Sequence, residues 1–212
     1  NTNPTITSAC PSSQTVSANA SCQYSIPNYT ASITATDNCT AAGSLTITQN
    51  PAVGTLVGVG VTAVTVTVTD GVGNASTCNF NVTVQDNTIP TITSACPTNQ
   101  TVAGNASCQY VLPNYLATLT ATDNCTAAGS LIITQSPVAG STIGLGATPV
   151  TLTVTDGAGN SATCNFTVTV TDATAPTVTA CPANQNLNIV AACSVALPNY
   201  GSTITVSDNC SP

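Results

Sequence analysis

No lysine, arginine, histidine, glutamate, methionine or tryptophan occurs in the 212 residues, and seven aspartates carry all of the formal net charge of −7. An ordinary domain is about one quarter charged, so these gaps say what the chain does not do. Phosphate backbones are bound through Lys and Arg, which excludes nucleic acid. Anionic membrane surfaces are excluded on the same ground. General acid–base catalysis draws on His, Glu, Lys or Tyr, and a Ser or Cys nucleophile needs a base beside it. Only an aspartate-based hydrolase would be left, so the chain reads as no enzyme. Zinc sites of the Cys/His type lose half of their ligand set. No apolar run approaches the ~20 residues of a membrane helix, which predicts no membrane insertion in this segment.

What remains is apolar, β-branched and repetitive. Hydrophobic residues make up 42% of the chain, too many for a disordered segment. Cys10, Cys22, Cys39 and Cys78 recur 86 positions later as Cys96, Cys108, Cys125 and Cys164. Cys181, Cys193 and Cys210 begin a third copy. Roughly 60 of about 86 aligned positions are identical between the first two copies, the mark of a tandem array. Arrays of this kind build length or multivalency. Cysteines at fixed spacing without histidine predict disulfides and an extracellular setting, and four per copy leave three pairings open.

The period is two almost everywhere. Val64, Val66 and Val68 alternate with threonines up to Asp70, and Cys78, Phe80, Val82 and Val84 share one parity after Asp70-Gly71-Val72-Gly73-Asn74. That pattern predicts a hairpin with one buried face and a threonine face. Further short strands are expected at Thr5 to Ser8, Cys22 to Ile26, Ile33 to Thr36 and Leu45 to Gln49. Six to eight such strands in about 86 residues predict an all-β chain of tandem Ig-like β-sandwich modules. The modules are expected at 1–86 and 87–172, with the first half of a third at 173–212. Short Pro-containing junctions, Asp86 to Pro90 and Asp172 to Pro176, would act as stiff linkers joining modules end to end. The third copy is one residue shorter before Cys181, so a bulge is expected near Ser8 and Ser94 to keep the face in register.

At these residues the chain resembles the hyalin repeat (HYR) family of Ig-like extracellular modules. The resemblance rests on Cys10-Pro11, Ala35-Thr36-Asp37-Asn38, Gly58-Val59-Gly60-Val61-Thr62, and Thr69-Asp70-Gly71-Val72-Gly73-Asn74 with Cys78-Asn79-Phe80. The second copy repeats it with Cys96-Pro97, Asp123-Asn124 and Asp156-Gly157-Ala158-Gly159-Asn160 before Cys164-Asn165-Phe166. The added cysteines are similar to those of long arrays in giant surface adhesins of Bacteroidota. Family members commonly keep only the first and last cysteine of each copy, which implies Cys10–Cys78 and Cys96–Cys164. The resemblance then implies Cys22–Cys39, Cys108–Cys125 and Cys193–Cys210, with Cys181 unpaired.

All seven aspartates sit at repeated positions: Asp37, Asp123 and Asp208; Asp70 and Asp156; Asp86 and Asp172. Two readings apply. Asp-Gly and Asp-Asn cap turns through their carboxylates, which favours a turn role for Asp70 and Asp156. Calcium takes oxygen ligands of this kind, and Asp86 and Asp172, at junctions, are the better candidates for it. No cofactor is required for folding on this reading, and calcium would stiffen the junctions. Tyr29, Tyr115 and Tyr200 recur in Pro-Asn-Tyr and are expected to support the fold rather than stack on sugars. Together these features predict a structural and adhesive segment of an extracellular cell-surface filament or stalk. Its partners would be neighbouring repeats of the same chain, with surface glycans or other cells met through a distal region. The alternative is a spacer or carbohydrate-contacting accessory module of a secreted enzyme.

Overall fold

The computed structural model describes residues 2–188 and 194–210. In the first copy the strands are β1 (Thr5–Ile6), β2 (Gln14–Ser17), β3 (Gln23–Ser25), β4 (Ala35–Thr36), β5 (Thr46–Asn50), β6 (Leu56–Gly58), β7 (Gly60–Thr69) and β8 (Ala75–Gln85). A four-stranded sheet runs in the order β2-β8-β7-β5, and β1-β4 and β3-β6 form two-stranded pairs. The long hairpin β7–β8 pairs from Gly60↔Val84 to Thr69↔Ala75. Alternation decides its faces. Val64, Val66, Val68 and Val82 are completely buried, with Cys78, Phe80 and Val84 beside them, while the intervening threonines point outward. Its turn closes through Asp70 N–H donating to Asn74 O at 3.0 Å. Gly73 takes φ +98° there, a conformation that an L side chain rarely adopts.

Tyr29 joins this core edge-on, its ring centroid 4.8 Å from that of Phe80 at 79°, and its hydroxyl meets the Gln14 amide. Tyr115 repeats the contact with Phe166 at 4.8 Å, so both rings support the fold. These are the only two phenylalanines in the chain. Phe80→Ala is expected to cost the first module about 3–5 kcal/mol. Denaturant titration of the disulfide-intact chain measures it.

The second copy reproduces the first with β9 (Thr91–Ile92), β10 (Gln100–Ala103), β11 (Gln109–Val111), β12 (Ala121–Thr122), β13 (Ile132–Ser136), β14 (Thr142–Gly144), β15 (Gly146–Thr155) and β16 (Ser161–Thr171). Its four-stranded sheet has the matching order β10-β16-β15-β13. Beyond it, β17 (Thr177–Ala180) pairs with β18 (Thr205–Ser207). The fold is all-β, two tandem sandwiches. Near Ser8 and Ser94, where a bulge is expected, β1–β4 and β9–β12 pair without a register shift, and two successive N–H groups then share one carbonyl. Thr7 and Ser8 both donate to Thr34 O at 2.8 and 3.3 Å, as Thr93 and Ser94 do to Thr120 O. The register shift falls instead in the third copy, between Val178 and Ala180.

Two compact units result. The first comprises Asn1–Ser94 with Thr120–Ile133 and Thr153–Ala162; the second comprises Ala95–Leu119, Thr134–Leu152 and Thr163–Pro212. Two loop-bearing segments of the second copy thus group with the first copy.

One pairing orients the module. Strand β2 runs parallel to β8, from Gln14↔Val82 to Ser17↔Gln85, and Ala18 N–H then donates to Gln85 O at 2.8 Å. The turn after β2, which contains Cys22, therefore lies at the tail of β8. At the head of β8, the Asp70–Asn74 turn meets the loop after β4, where Gly71 N–H donates to Thr40 Oγ1 at 3.2 Å. Since β8 has 11 residues, head and tail stand ~35 Å apart at about 3.3 Å per residue.

Candidate functional site

That polarity settles which cysteines can meet. Cys10 is bonded to Cys78 and Cys96 to Cys164, each with Cα atoms 5.8 Å apart. Cys22 is bonded to Cys125 with a Cα separation of 4.8 Å, and Cys108 to Cys210 at 5.4 Å. The pairings Cys22–Cys39 and Cys108–Cys125 are therefore corrected. Cys22 sits in the tail turn, whereas Cys39 follows Asp37 in the head loop of the same module. A disulfide needs Cα atoms within about 7 Å, so a partner ~35 Å away is out of reach. Cys22 instead meets the head cysteine of the following copy. Cys193 lies outside the described residues, and its expected partner Cys210 is already taken by Cys108. Cys39 and Cys181 are free and exposed.

Local geometry prepares each half of the bond. Asn19 Oδ1 accepts from Ser21 N–H at 2.9 Å and Gln23 N–H at 3.0 Å, folding a tight turn. Within it Cys22 takes φ +59°, and Cys108 takes φ +60° in the second copy. On the other side, Asp123 Oδ2 accepts from Cys125 N–H and Thr126 N–H, both at 2.9 Å. Asn124 Nδ2 reaches back to Asn19 O at 3.0 Å.

Beside the Cys22–Cys125 bond, the first unit gathers three aspartates from two copies. Asp86, Asp123 and Asp156 each offer a carboxylate oxygen within 4.8 Å of the others. Asp86 and Asp156 are only 6% and 4% exposed. Asp156 Oδ1 accepts from Ala158 N–H and Asn160 N–H, and Oδ2 from Asn160 Nδ2. Asn160 Nδ2 also donates to Asp86 O at 3.1 Å. Asp86 Oδ1 accepts from Thr88 N–H, but Asp86 Oδ2 and Asp123 Oδ1 are buried with no hydrogen-bond partner. Two like charges 4.8 Å apart repel by about 3 kcal/mol at an effective dielectric constant of ~20. The chain holds no cationic side chain to offset that repulsion. An open cleft lined by Val59, Gln85, Asp86, Asn87, Ala158 and Asn160 leads to the cluster.

Of the expected calcium residues, Asp86 and Asp156 thus come together, and Asp123 joins them unforeseen. Asp172 lies with Asp208 and Cys210 in a second such group, in the second unit. Asp70 stands in the head turn of the first copy, where its carboxylate accepts from Val72 N–H, Asn74 N–H and Asn74 Nδ2. Burial pushes its carboxyl up, but the hydrogen bonds from Asn74, Val72 and Gly73 outweigh it and hold the group below its ordinary range. A carboxyl lowered by folding contributes above its unfolded value, and that contribution is lost as pH falls through the folded one. Burial, with Tyr24 nearby, raises the Tyr29 phenol, so its contribution is lost only as pH climbs past the ordinary tyrosine range. The Asp70 carboxyl and the Tyr29 phenol are therefore expected to add no pH dependence to stability between about pH 5 and 8. Thermal unfolding across that range checks it.

The HYR domain profile matches residues 1–84 and again 85–170. The chain belongs to the HYR domain family. Among curated proteins no sequence matches it. Similar solved structures are mouse cadherin-23 EC22-24 (14% identity, TM-score 0.40, covering 85% of this chain and 71% of that one) and human protocadherin-24 EC1-2 (14%, 0.37, 81% and 100%). Drosophila N-cadherin EC1-4 is similar at 13% identity and TM-score 0.35; 81% of this chain is covered, and the match spans half of that chain. Among the described residues no helix is long and apolar enough to cross a membrane. The four disulfides among the described residues fit an oxidising compartment.

Proposed function

We propose that this HYR segment is a non-catalytic, load-bearing part of an extracellular surface filament or stalk, in which each module is bonded covalently to the next. Residues 173–212 are read as the start of a third module of the same array. The observation that carries the proposal is the repeated cross-copy bond, Cys22–Cys125 followed by Cys108–Cys210. A tail cysteine paired with the next head cysteine is a head-to-tail relation, and such relations propagate into fibres. An enzyme accessory needs no second covalent connection between its spacers. The long arrays of giant surface adhesins, which these modules resemble, supply the adhesive setting, with contact to glycans or other cells made by a distal region.

Antibody against the segment should decorate intact cells along projecting fibres. Deleting the repeats from the full gene should abolish attachment while leaving secreted polysaccharide hydrolysis unchanged. Loss of hydrolysis with normal attachment would favour the accessory role instead.

A further inference from the structure

The geometry points to a calcium site built by Asp86, Asp123 and Asp156, completed only when the tail of one HYR module meets the head of the next. Three oxygens lie within 4.8 Å of one another, a spacing that one cation with ligands at about 2.3–2.6 Å can span. The cluster alone would not establish a site. Asp86 is 6% exposed, and its Oδ2 has no donor. Asp123 contributes a second buried oxygen in the same state, and Asn124 Oδ1, one residue on, a third. Buried carboxylate oxygens are ordinarily hydrogen-bonded or metal-bound. Asp156 Oδ1 is taken twice by its own turn and Oδ2 once, leaving one acceptor position on Oδ2, while the wholly unpartnered oxygens belong to Asp86 and Asp123, from two different copies.

The arrangement recurs. Asp172 and Asp208, at the positions equivalent to Asp86 and Asp123, again offer oxygens within 4.8 Å. At the head of the first copy, Asp37 Oδ1 is likewise buried without a partner, although Asp37 Oδ2 caps Cys39 N–H and Thr40 N–H. Asp37 and Asp123 therefore have the same structural role in their loops and differ in having a tail aspartate opposite. A hard divalent ion is the class that fits: all donors are oxygens, the only nearby sulfurs are engaged in a disulfide, and no imidazole exists in the chain.

Isothermal titration of the 212-residue chain with calcium chloride, after chelator treatment, tests the site. Saturable binding tighter than ~1 mM is expected, with a rise in unfolding temperature. Asp123→Asn, which keeps an oxygen for the capping bonds, should weaken the tightest phase at least tenfold, and Asp86→Asn likewise. Asp37→Asn should leave it unchanged, with circular dichroism confirming that all three variants fold. No saturable binding, an equal response to magnesium, or an Asp37→Asn effect as large as that of Asp123→Asn would overturn the assignment. The titration reads metal binding alone, so its failure would leave the surface-filament reading standing.

Discussion

Pulled from its two ends under oxidising conditions, the array should lengthen by no more than ~25 Å per module, and after reduction by up to ~270 Å per 86-residue module. The difference follows from connectivity. Force entering at Cys125 leaves at Cys108, because each is bonded to a different neighbour. Only about 17 residues lie on that covalent path, against the whole module once the bonds are cut. At ~3.5 Å per residue the path reaches ~60 Å when taut, only ~25 Å beyond the ~35 Å separation of head and tail. Even a module whose sheets have come apart therefore yields little. Single-molecule stretching with and without reductant measures both lengths, and equal extensions would contradict the covalent bracing.

Cys10→Ala with Cys78→Ala should cost the first module about 4 kcal/mol, by the chain-entropy estimate for a loop of 68 residues. Cys78 adds a packing term, being 1% exposed among Phe80, Val66 and Val82. Few reserves stand behind it. No ion pair is possible without a cation, and one phenylalanine serves each complete module. A domain has only about 5–15 kcal/mol of net stability, so the double variant should unfold its first module at a clearly lower denaturant concentration than the second. Two resolved transitions are expected. One coincident transition at the parental midpoint would show that the bond contributes little.

The hairpin was legible because Val64 to Thr69 and Thr77 to Val84 alternate strictly, and alternation maps onto a pleated sheet with one buried face. The length difference before Cys181 signalled an irregularity in this strand, since it must be absorbed without turning the face over, but the shift lies between Val178 and Ala180 and not at Ser8. Strand β2 was not legible. Gln14 to Ser17 is four residues long with only Val16 apolar, and its parallel pairing with β8 has no local signature. That one strand carries the chain to the tail, so missing it hid the fact that Cys22 and Cys39 occupy opposite ends. The family pattern, which commonly has neither cysteine, implied Cys22–Cys39 only as the pair left over within one copy, and the bond crosses copies instead. Asp123 did not stand out as a calcium ligand for the same reason: its sequence neighbours mark a turn, and its tail partner Asp86 comes from the preceding copy. A signal was nonetheless present, since the head positions Asp37, Cys39 and Asp70 and the tail positions Cys22 and Asp86 all recur at one period.

Non-reducing peptide mapping tests the central claim most directly. Trypsin has no site in a chain without Lys or Arg, so cleavage by pepsin or at aspartate is required, followed by mass spectrometry of the linked fragments. The braced array requires a peptide containing Cys22 joined to one containing Cys125, and Cys108 joined to Cys210, with Cys39 recovered as a free thiol. Recovery of Cys22 joined to Cys39 would contradict it, and with it the covalent continuity from module to module.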